Sequence, residues 1–94
     1  MKDFSKRLSV AAPKADFTTA DLSVWFDRPY HTVWFWFHKG AKPRGSKLQK
    51  KLVYGRLELL ENAIRGNARL PVPPSLNQFE RPEYIEKLRH DLED

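Results

Sequence analysis

Apolar residues in the first half of the chain recur at the spacing of helices rather than of strands. Between residues 17 and 38 they fall three or four positions apart, and one polar break at residues 27–29 divides the pattern. A residue before proline avoids the helical region, and proline itself fits a first helical turn, so Asp27-Arg28-Pro29 ends one helix and begins the next. The pattern predicts two short helices joined by a tight turn, with the second running to about His38 and stopping at Gly40.

The first of these helices carries clear start signals in its sequence. Thr18 stands at the N-cap, where its hydroxyl can accept from the backbone N–H of Asp21 while the carboxylate reaches back. Phe17 and Leu22 occupy the positions of a hydrophobic staple. The inward face of this helix is predicted to consist of Ala20, Leu22, Trp25 and Phe26.

The residues ahead of Thr18 carry a weaker pattern. Phe4 and Leu8 are the only large apolar pair at helical spacing in residues 1–16, and Pro13 limits any helix to the turn or two before it. We expect a partly ordered arm here, with a short helix that docks Phe4 and Leu8.

A longer helix is predicted from Ser46 to about Arg65, ending at Gly66-Asn67. Its apolar seam has spacings of 4, 3 and 4 residues, a pattern that suits helix pairing. The seam consists of Val53, Leu57, Leu60 and Ile64, widened by Leu48, Leu52, Leu59 and Ala63. Together with the last helix, this seam is the candidate surface for self-association.

Prolines divide the rest of the chain. Residues 70–74, Leu-Pro-Val-Pro-Pro, favour an extended spacer, and a last helix from Arg81 to about Leu92 follows. The fold class is therefore all-α: a helix-turn-helix core, a longer third helix and a separate short C-terminal helix. The expected division is a domain over 1–66, a Pro-rich linker over 67–80, and a C-terminal interaction or oligomerisation helix over 81–94.

The distribution of charge along the chain indicates a function more clearly than the composition does. The 94 residues have a net charge of +5, yet no acidic residue occurs between Asp27 and Glu58. That interval has a charge of +8, whereas the segments before and after it sum to 0 and −3. Concentrated positive charge beside a helical pair favours nucleic-acid binding, because phosphate neutralisation supplies most non-specific affinity. The basic residues of the interval are Arg28, Lys39, Lys42, Arg44, Lys47, Lys50, Lys51 and Arg56.

The helical pair resembles the helix-turn-helix unit of prokaryotic and phage DNA-binding proteins. Leu22 and Phe26 match the inward positions of the first helix, and Thr32-Val33 with Trp36 match the second. Residues 36–43 are similar to the helix exit of excisionase-like and MerR-like units. The resemblance covers about a third of the chain and departs from the pattern at the turn, where Asp27 stands in the usual glycine position.

In such a unit the N-terminal part of the second helix enters the major groove. Val33, Trp36 and Phe37 are expected to pack on the first helix. Trp34 and Phe35 suit either contact with bases or packing, on the Ser46–Arg65 helix or on a second subunit. The basic loop at residues 40–46 suits either contact with phosphates or insertion into a narrow minor groove. The candidate DNA-binding residues are Arg28, Tyr30, His31, Thr32, Trp34, Phe35, Lys39, Lys42, Arg44, Lys47, Lys50 and Lys51.

Several other chemistries are not expected. There is no cysteine, and His31 and His38 lack neighbouring ligands, so we expect no metal site. No phosphate-binding glycine loop and no activated nucleophile occurs, so neither a cofactor, a small-molecule ligand nor an enzymatic activity is expected. The longest apolar run, Val33 to Phe37, is too short to cross a membrane, so we expect a soluble cytoplasmic protein, in a bacterium or an infected host cell.

These observations favour a small DNA-binding protein of phage or bacterial type, a transcriptional regulator or an architectural factor. Its partner would be double-stranded DNA, and it would act as a homo-oligomer because one small unit reads few base pairs. One alternative is a DNA-packaging subunit of the small terminase type. Another is a protein-interaction adaptor built on the same scaffold, and RNA as the ligand also stays open.

Overall fold

Five helices make up the fold in the computed structural model, which describes residues 4–66 and 69–93. The helices are α1 (Phe4–Ala15), α2 (Thr19–Phe26), α3 (Tyr30–His38), α4 (Lys47–Gly66) and α5 (Arg81–Glu93). The described residues contain no strand, which confirms the all-α fold class. The predicted bounds of α2 to α5 agree with the structure to within one residue. Asn67, expected to help end α4, lies outside the described residues.

The start of α2 is built as its sequence predicts. Thr18 Oγ1 accepts from Asp21 N at 3.2 Å, and Asp21 Oδ2 accepts from Thr18 N at 2.8 Å. Phe17 and Leu22 are both buried, whereas Ala20, expected on the inward face, is exposed. At the other end Asp27 adopts the left-handed conformation (φ 54°), and its N–H bonds to the Val24 carbonyl. The turn therefore has the backbone shape that a glycine would usually supply.

The helix ahead of Thr18 is longer than the short one expected, and Phe4 and Leu8 are docked in the core as predicted. α1 is a helix of 12 residues with Pro13 inside its last turn. Pro13 has no backbone N–H, so the Ser9 carbonyl lacks its helical hydrogen bond. Both residues are exposed, so water can donate to this carbonyl instead. The opposite face is buried, and its burial offsets the cost of the proline. That face consists of Phe4, Leu8, Ala11, Ala12 and Ala15.

A single core joins all five helices. Phe26 on α2 stacks edge-on against Trp36 on α3, with ring centroids 5.7 Å apart, and Val33 is fully buried beside them. Phe37 is only half-buried. α4 buries Val53, Leu57, Leu60 and Ala63 in this core, so most of the predicted seam serves the fold rather than self-association.

The C-terminal helix is not separate. Ile85 and Leu88 of α5 are buried in the same core, and α5 packs on α2. The Pro-rich segment also packs, since Leu70 and Val72 are buried and Val72 N donates to the Ala15 carbonyl at 3.0 Å. Within the described residues, the Pro-rich segment thus packs on the end of α1 and in the core instead of forming the spacer that its prolines suggested.

Candidate nucleic-acid interface

α3 presents its N-terminal half to solvent on one face. Tyr30 and Phe35 are 53% and 49% exposed, His31 is exposed, and Thr32 is half-buried. The opposite face holds Val33 and Trp36 in the core. The split follows from the helical period, which places residues 33 and 36 together and turns residues 31 and 35 outward. The outward face of α3 is therefore partly open to solvent on the side where a recognition helix would meet DNA.

A basic loop lies against this exposed face. Residues 40–46 run from Gly40, which has a positive φ of 69°, to the start of α4. Ala41 N donates to the Phe35 carbonyl at 3.1 Å, and Pro43 is buried. Lys42 and Arg44, on either side of the buried proline, are both exposed. The loop is therefore pinned at its centre while its two cations face solvent.

The far end of the loop is held by the start of α4. Gln49 N donates to Ser46 Oγ at 3.1 Å, and Ser46 N donates to Gln49 Oε1 at 3.0 Å, a reciprocal cap. Gly45 has a φ of 119°, and a Cβ added there would collide with the Gln49 side chain. Only glycine fits this position without moving the cap, so the exit from the loop is fixed by the sequence.

Helix and loop together form an open groove of about 470 Å³. Arg28 stands at the start of α3, where its Nη1 donates to the Asp27 carbonyl at 2.9 Å. Six of the twelve candidate DNA-binding residues meet around this groove. Its lining consists of Arg28, His31, Thr32, Phe35, Trp36, Ala41, Lys42 and Arg44.

A second group of candidate residues lies at the C-terminal end of α3. Trp34 is half-buried, and its ring contacts the rings of Phe35 and His38, with centroids 5.4 and 5.0 Å apart. Lys39 Nζ lies 5.7 Å from the centroid of the Trp34 ring, a cation–π arrangement. His38 Nε2 lies 3.4 Å from Thr19 Oγ1 on α2. Trp34 is thus held by neighbours on its own helix, and Phe35 remains half exposed.

The basic residues at the start of α4 do not line the groove. Lys47, Lys50 and Lys51 are exposed in its first turns. Lys51 instead borders a second, apolar groove on α4. A phosphate role for Lys47 and Lys50 remains a prediction, and Lys51 lies beside a different surface.

Arg56, one of the eight charges of the acid-free interval, has a structural role instead. Its Nη1 donates to the Phe26 carbonyl at 2.9 Å, and it is half-buried. Arg89 of α5 donates to the carbonyls of Val24 and Trp25 at 2.7 and 3.1 Å. Burial, followed by the nearby Arg89 charge, lowers the pKa of Arg56 from its ordinary value. The two cations stabilise the negative end of α2. Sequence reasoning missed Arg89 because only the fold brings α5 to this helix end.

The ion pairs of the described residues lie outside the basic surface of the interval. Within residues 4–66 and 69–93, the acidic partners of the ion pairs are Asp21, Glu61, Glu86, Asp91 and Glu93, and none of these pairs includes a basic residue of the interval. Lys42, Arg44, Lys47 and Lys50 are therefore exposed cations outside these ion pairs.

Comparison of the chain with known protein families, with curated protein sequences and with solved structures finds no match. Across the described residues, no helix combines the length and apolar character needed to span a bilayer. The same residues contain no group of three or more His, Asp or Glu side chains arranged to hold a metal ion. The exposed side chains and the cations of the groove beside α3 are therefore the observations that indicate a function.

Proposed function

We propose that the chain is a helix-turn-helix DNA-binding protein, a regulator or architectural factor of phage or bacterial type, acting in the cytoplasm on double-stranded DNA. The observation that carries the proposal is the groove in which the exposed face of α3 meets Lys42 and Arg44. The geometry of α2, the turn at Asp27 and α3 supports it, as does the resemblance in sequence to excisionase-like and MerR-like units.

The groove offers the two kinds of contact that DNA recognition requires. Arg28 and His31 carry donors that can reach base edges, and the half-exposed Phe35 ring suits a thymine methyl group. Lys42 and Arg44 are placed to hold the phosphates beside that groove, which sets the register of the protein on the duplex. Tyr30 and Thr32 add hydroxyl groups at the same end of α3.

Electrostatics also favours a polyanionic ligand. All the acids of the chain lie outside the interval between Asp27 and Glu58, so the exposed lysines and arginines there produce an uninterrupted positive field. A groove that bound a neutral peptide would gain little from excluding acids over 30 residues.

The test is fluorescence anisotropy of a labelled duplex at several salt concentrations. The wild-type chain is expected to bind with an affinity that falls steeply with salt, because counterions are released from the neutralised phosphates. Replacing both Lys42 and Arg44 by Ala should reduce the slope of log K against log salt by about 2, one for each lost phosphate contact.

The matched control removes two positive charges from elsewhere. Lys6→Ala with Lys87→Ala gives the same net charge, and both of these lysines are exposed on α1 and α5. If the control lowered the slope as much as the groove variant, binding would depend on net charge rather than on the groove. An absence of binding at low salt would overturn the proposal and favour the adaptor function.

A further inference from the structure

α4 carries a second apolar face in addition to the one buried in the core. Leu48, Leu52, Gly55 and Leu59 are spaced 4, 3 and 4 residues apart, so they form one stripe along the helix. Leu48 and Leu52 are 76% and 47% exposed, whereas Leu59 at the far end of the stripe is half-buried against the core. Leucines exposed side by side indicate a surface that another molecule covers.

This stripe forms the floor of a groove of about 470 Å³, and the end of α5 forms one wall. Leu92 and Glu93 of α5 stand beside the stripe near Leu59 and Arg56. Gly55 lies in the middle of the stripe, and nothing lies within 4 Å of the point where a Cβ would be placed. The groove therefore has a notch at its centre with leucines on both sides.

We propose that a second copy of this chain occupies the groove, with its α4 running antiparallel to the first across a two-fold axis. A two-fold contact requires a surface that is complementary to itself. In the register that pairs residues whose numbers sum to 107, Leu48 lies against Leu59 of the second copy and Leu52 lies against its Gly55. Each Leu52 then enters the notch that the other copy's glycine leaves open, and all four stripe positions are used twice.

The charges beside the stripe agree with the same register. Lys51 and Glu58 flank the stripe on one side, both exposed, and they are seven residues apart. In the antiparallel arrangement Lys51 of one copy faces Glu58 of the other, and the reverse pair forms at the symmetric place. On the other flank Gln49 faces Arg56, which introduces no like-charge contact. Parallel helices would instead place Lys51 and Arg56 on neighbouring flanks, which is repulsive.

The pairing gives Lys51 a protein partner rather than a phosphate. It also gives the assembly two copies of α3, as dimeric helix-turn-helix proteins require for two half-sites. The proposed contacts join residues of α4 in the two copies and do not depend on DNA binding, so they are tested without DNA.

The experiment is sedimentation equilibrium of the full chain over a concentration series, with Lys51→Glu and Glu58→Lys variants. Each variant alone faces like charges at both symmetric contacts, so its dimer dissociation constant should rise at least roughly tenfold. An equimolar mixture of the two variants should form a heterodimer of near wild-type affinity, because both contacts become attractive again. Lys6→Glu and Glu83→Lys make the same charge changes outside the groove and should leave the constant unchanged, alone or mixed.

Leu48→Glu provides a second disruption with little effect on the monomer fold. Leu48 is largely exposed, and an acid in the first turn of a helix is favourable, so helicity by circular dichroism should be retained while the dimer weakens. Rescue on mixing supports the antiparallel pairing. A wild-type chain that stays monomeric, a ring-sized assembly of the packaging type, or a dimer insensitive to all three variants would overturn it.

Discussion

Two groups of arginines in this chain have opposite surroundings. Arg81 and Arg89 are largely buried, with side chains bound to a carboxylate and to backbone carbonyls. Arg28 and Arg44 line the groove beside α3. Within the described part of the chain, the Arg28 side chain donates one hydrogen bond, to the carbonyl of its neighbour Asp27. The first group holds helices together, and the second is directed to solvent.

The comparison shows that a count of positive charges does not locate a binding surface. Arg56 belongs by sequence to the acid-free interval, yet its guanidinium stabilises the end of α2. Function is indicated by exposed cations outside the ion pairs of the described residues, a property of the fold as well as of the sequence. Variants of the two groups should therefore separate stability from DNA affinity.

The largest expected effect is the loss of stability on replacing Arg81 with Ala. Arg81 Nη2 lies 2.6 Å from Asp21 Oδ2, and the two side chains are 16% and 4% exposed. Asp21 also accepts from Thr18 N, and its bond to Arg81 raises the pKa of the arginine. Removing Arg81 leaves a buried carboxylate without its cation, which should cost about 3–5 kcal/mol in urea unfolding.

The control for this variant is Asp91→Asn. Asp91 pairs with Arg69, and both side chains are nearly half exposed. An exposed pair is worth less than about 1 kcal/mol, so the two unfolding midpoints should differ clearly. Similar losses in the two variants would show that the Asp21 pair is solvated in spite of its burial.

The next effect concerns Arg89→Met, which keeps most of the aliphatic chain and removes the donors. The carbonyls of Val24 and Trp25 lose a charged partner, and the end of α2 loses a cation. We expect a stability loss of about 2 kcal/mol, with the DNA affinity of the folded protein unchanged. Arg65→Met makes the same change at an exposed arginine and should lower the free energy of unfolding by about 0.5 kcal/mol at most.

The sequence predicts local features of the fold well and distant contacts poorly. The Thr18 cap, the turn at Asp27 and the stop at Gly40 depend on neighbouring residues, and each lies at the predicted position. The left-handed backbone of Asp27 restores the turn that the missing glycine had put in question. α1 is longer than its sequence predicts, because the local cost of Pro13 suggests an earlier end. Burial of Ala11, Ala12 and Ala15 together with Phe4 and Leu8 outweighs that cost, and it depends on helices distant in sequence.

The candidate site also combines locally predictable features with contacts between distant residues. The exposed face of α3 follows from helical period and could be predicted, whereas the meeting of that face with Lys42 and Arg44 depends on the path of the loop. That path is set by the buried Pro43, which reads in the sequence as a simple breaker. On α4 the sequence predicts one seam at Val53, Leu57 and Leu60, widened by flanking leucines, and the fold leaves Leu48 and Leu52 of those outside the core.

A smaller effect, on binding alone, is expected for Arg28→Ala. The side chain of Arg28 makes one hydrogen bond, to a backbone carbonyl at the surface, so the unfolding midpoint should change little. Its loss should weaken binding to a selected DNA site by about 1–3 kcal/mol and relax the preference at one base position. Site selection with wild type and variant measures this. A uniform loss across all sequences would assign Arg28 to a phosphate instead.

The smallest effect concerns the turn at Asp27, where one substitution is expected to change both stability and DNA binding. Asp27 holds a φ of 54°, and Asp16 holds a φ of 58° at the end of α1. Glycine adopts this conformation without steric cost, so Asp27→Gly and Asp16→Gly should each stabilise the fold by up to about 0.5–1 kcal/mol in thermal unfolding. Only Asp27 adjoins Arg28, so only its replacement removes a negative charge beside the proposed DNA surface. Asp27→Gly should therefore also tighten DNA binding at low salt, and equal affinities in the two glycine variants would place the DNA away from the turn.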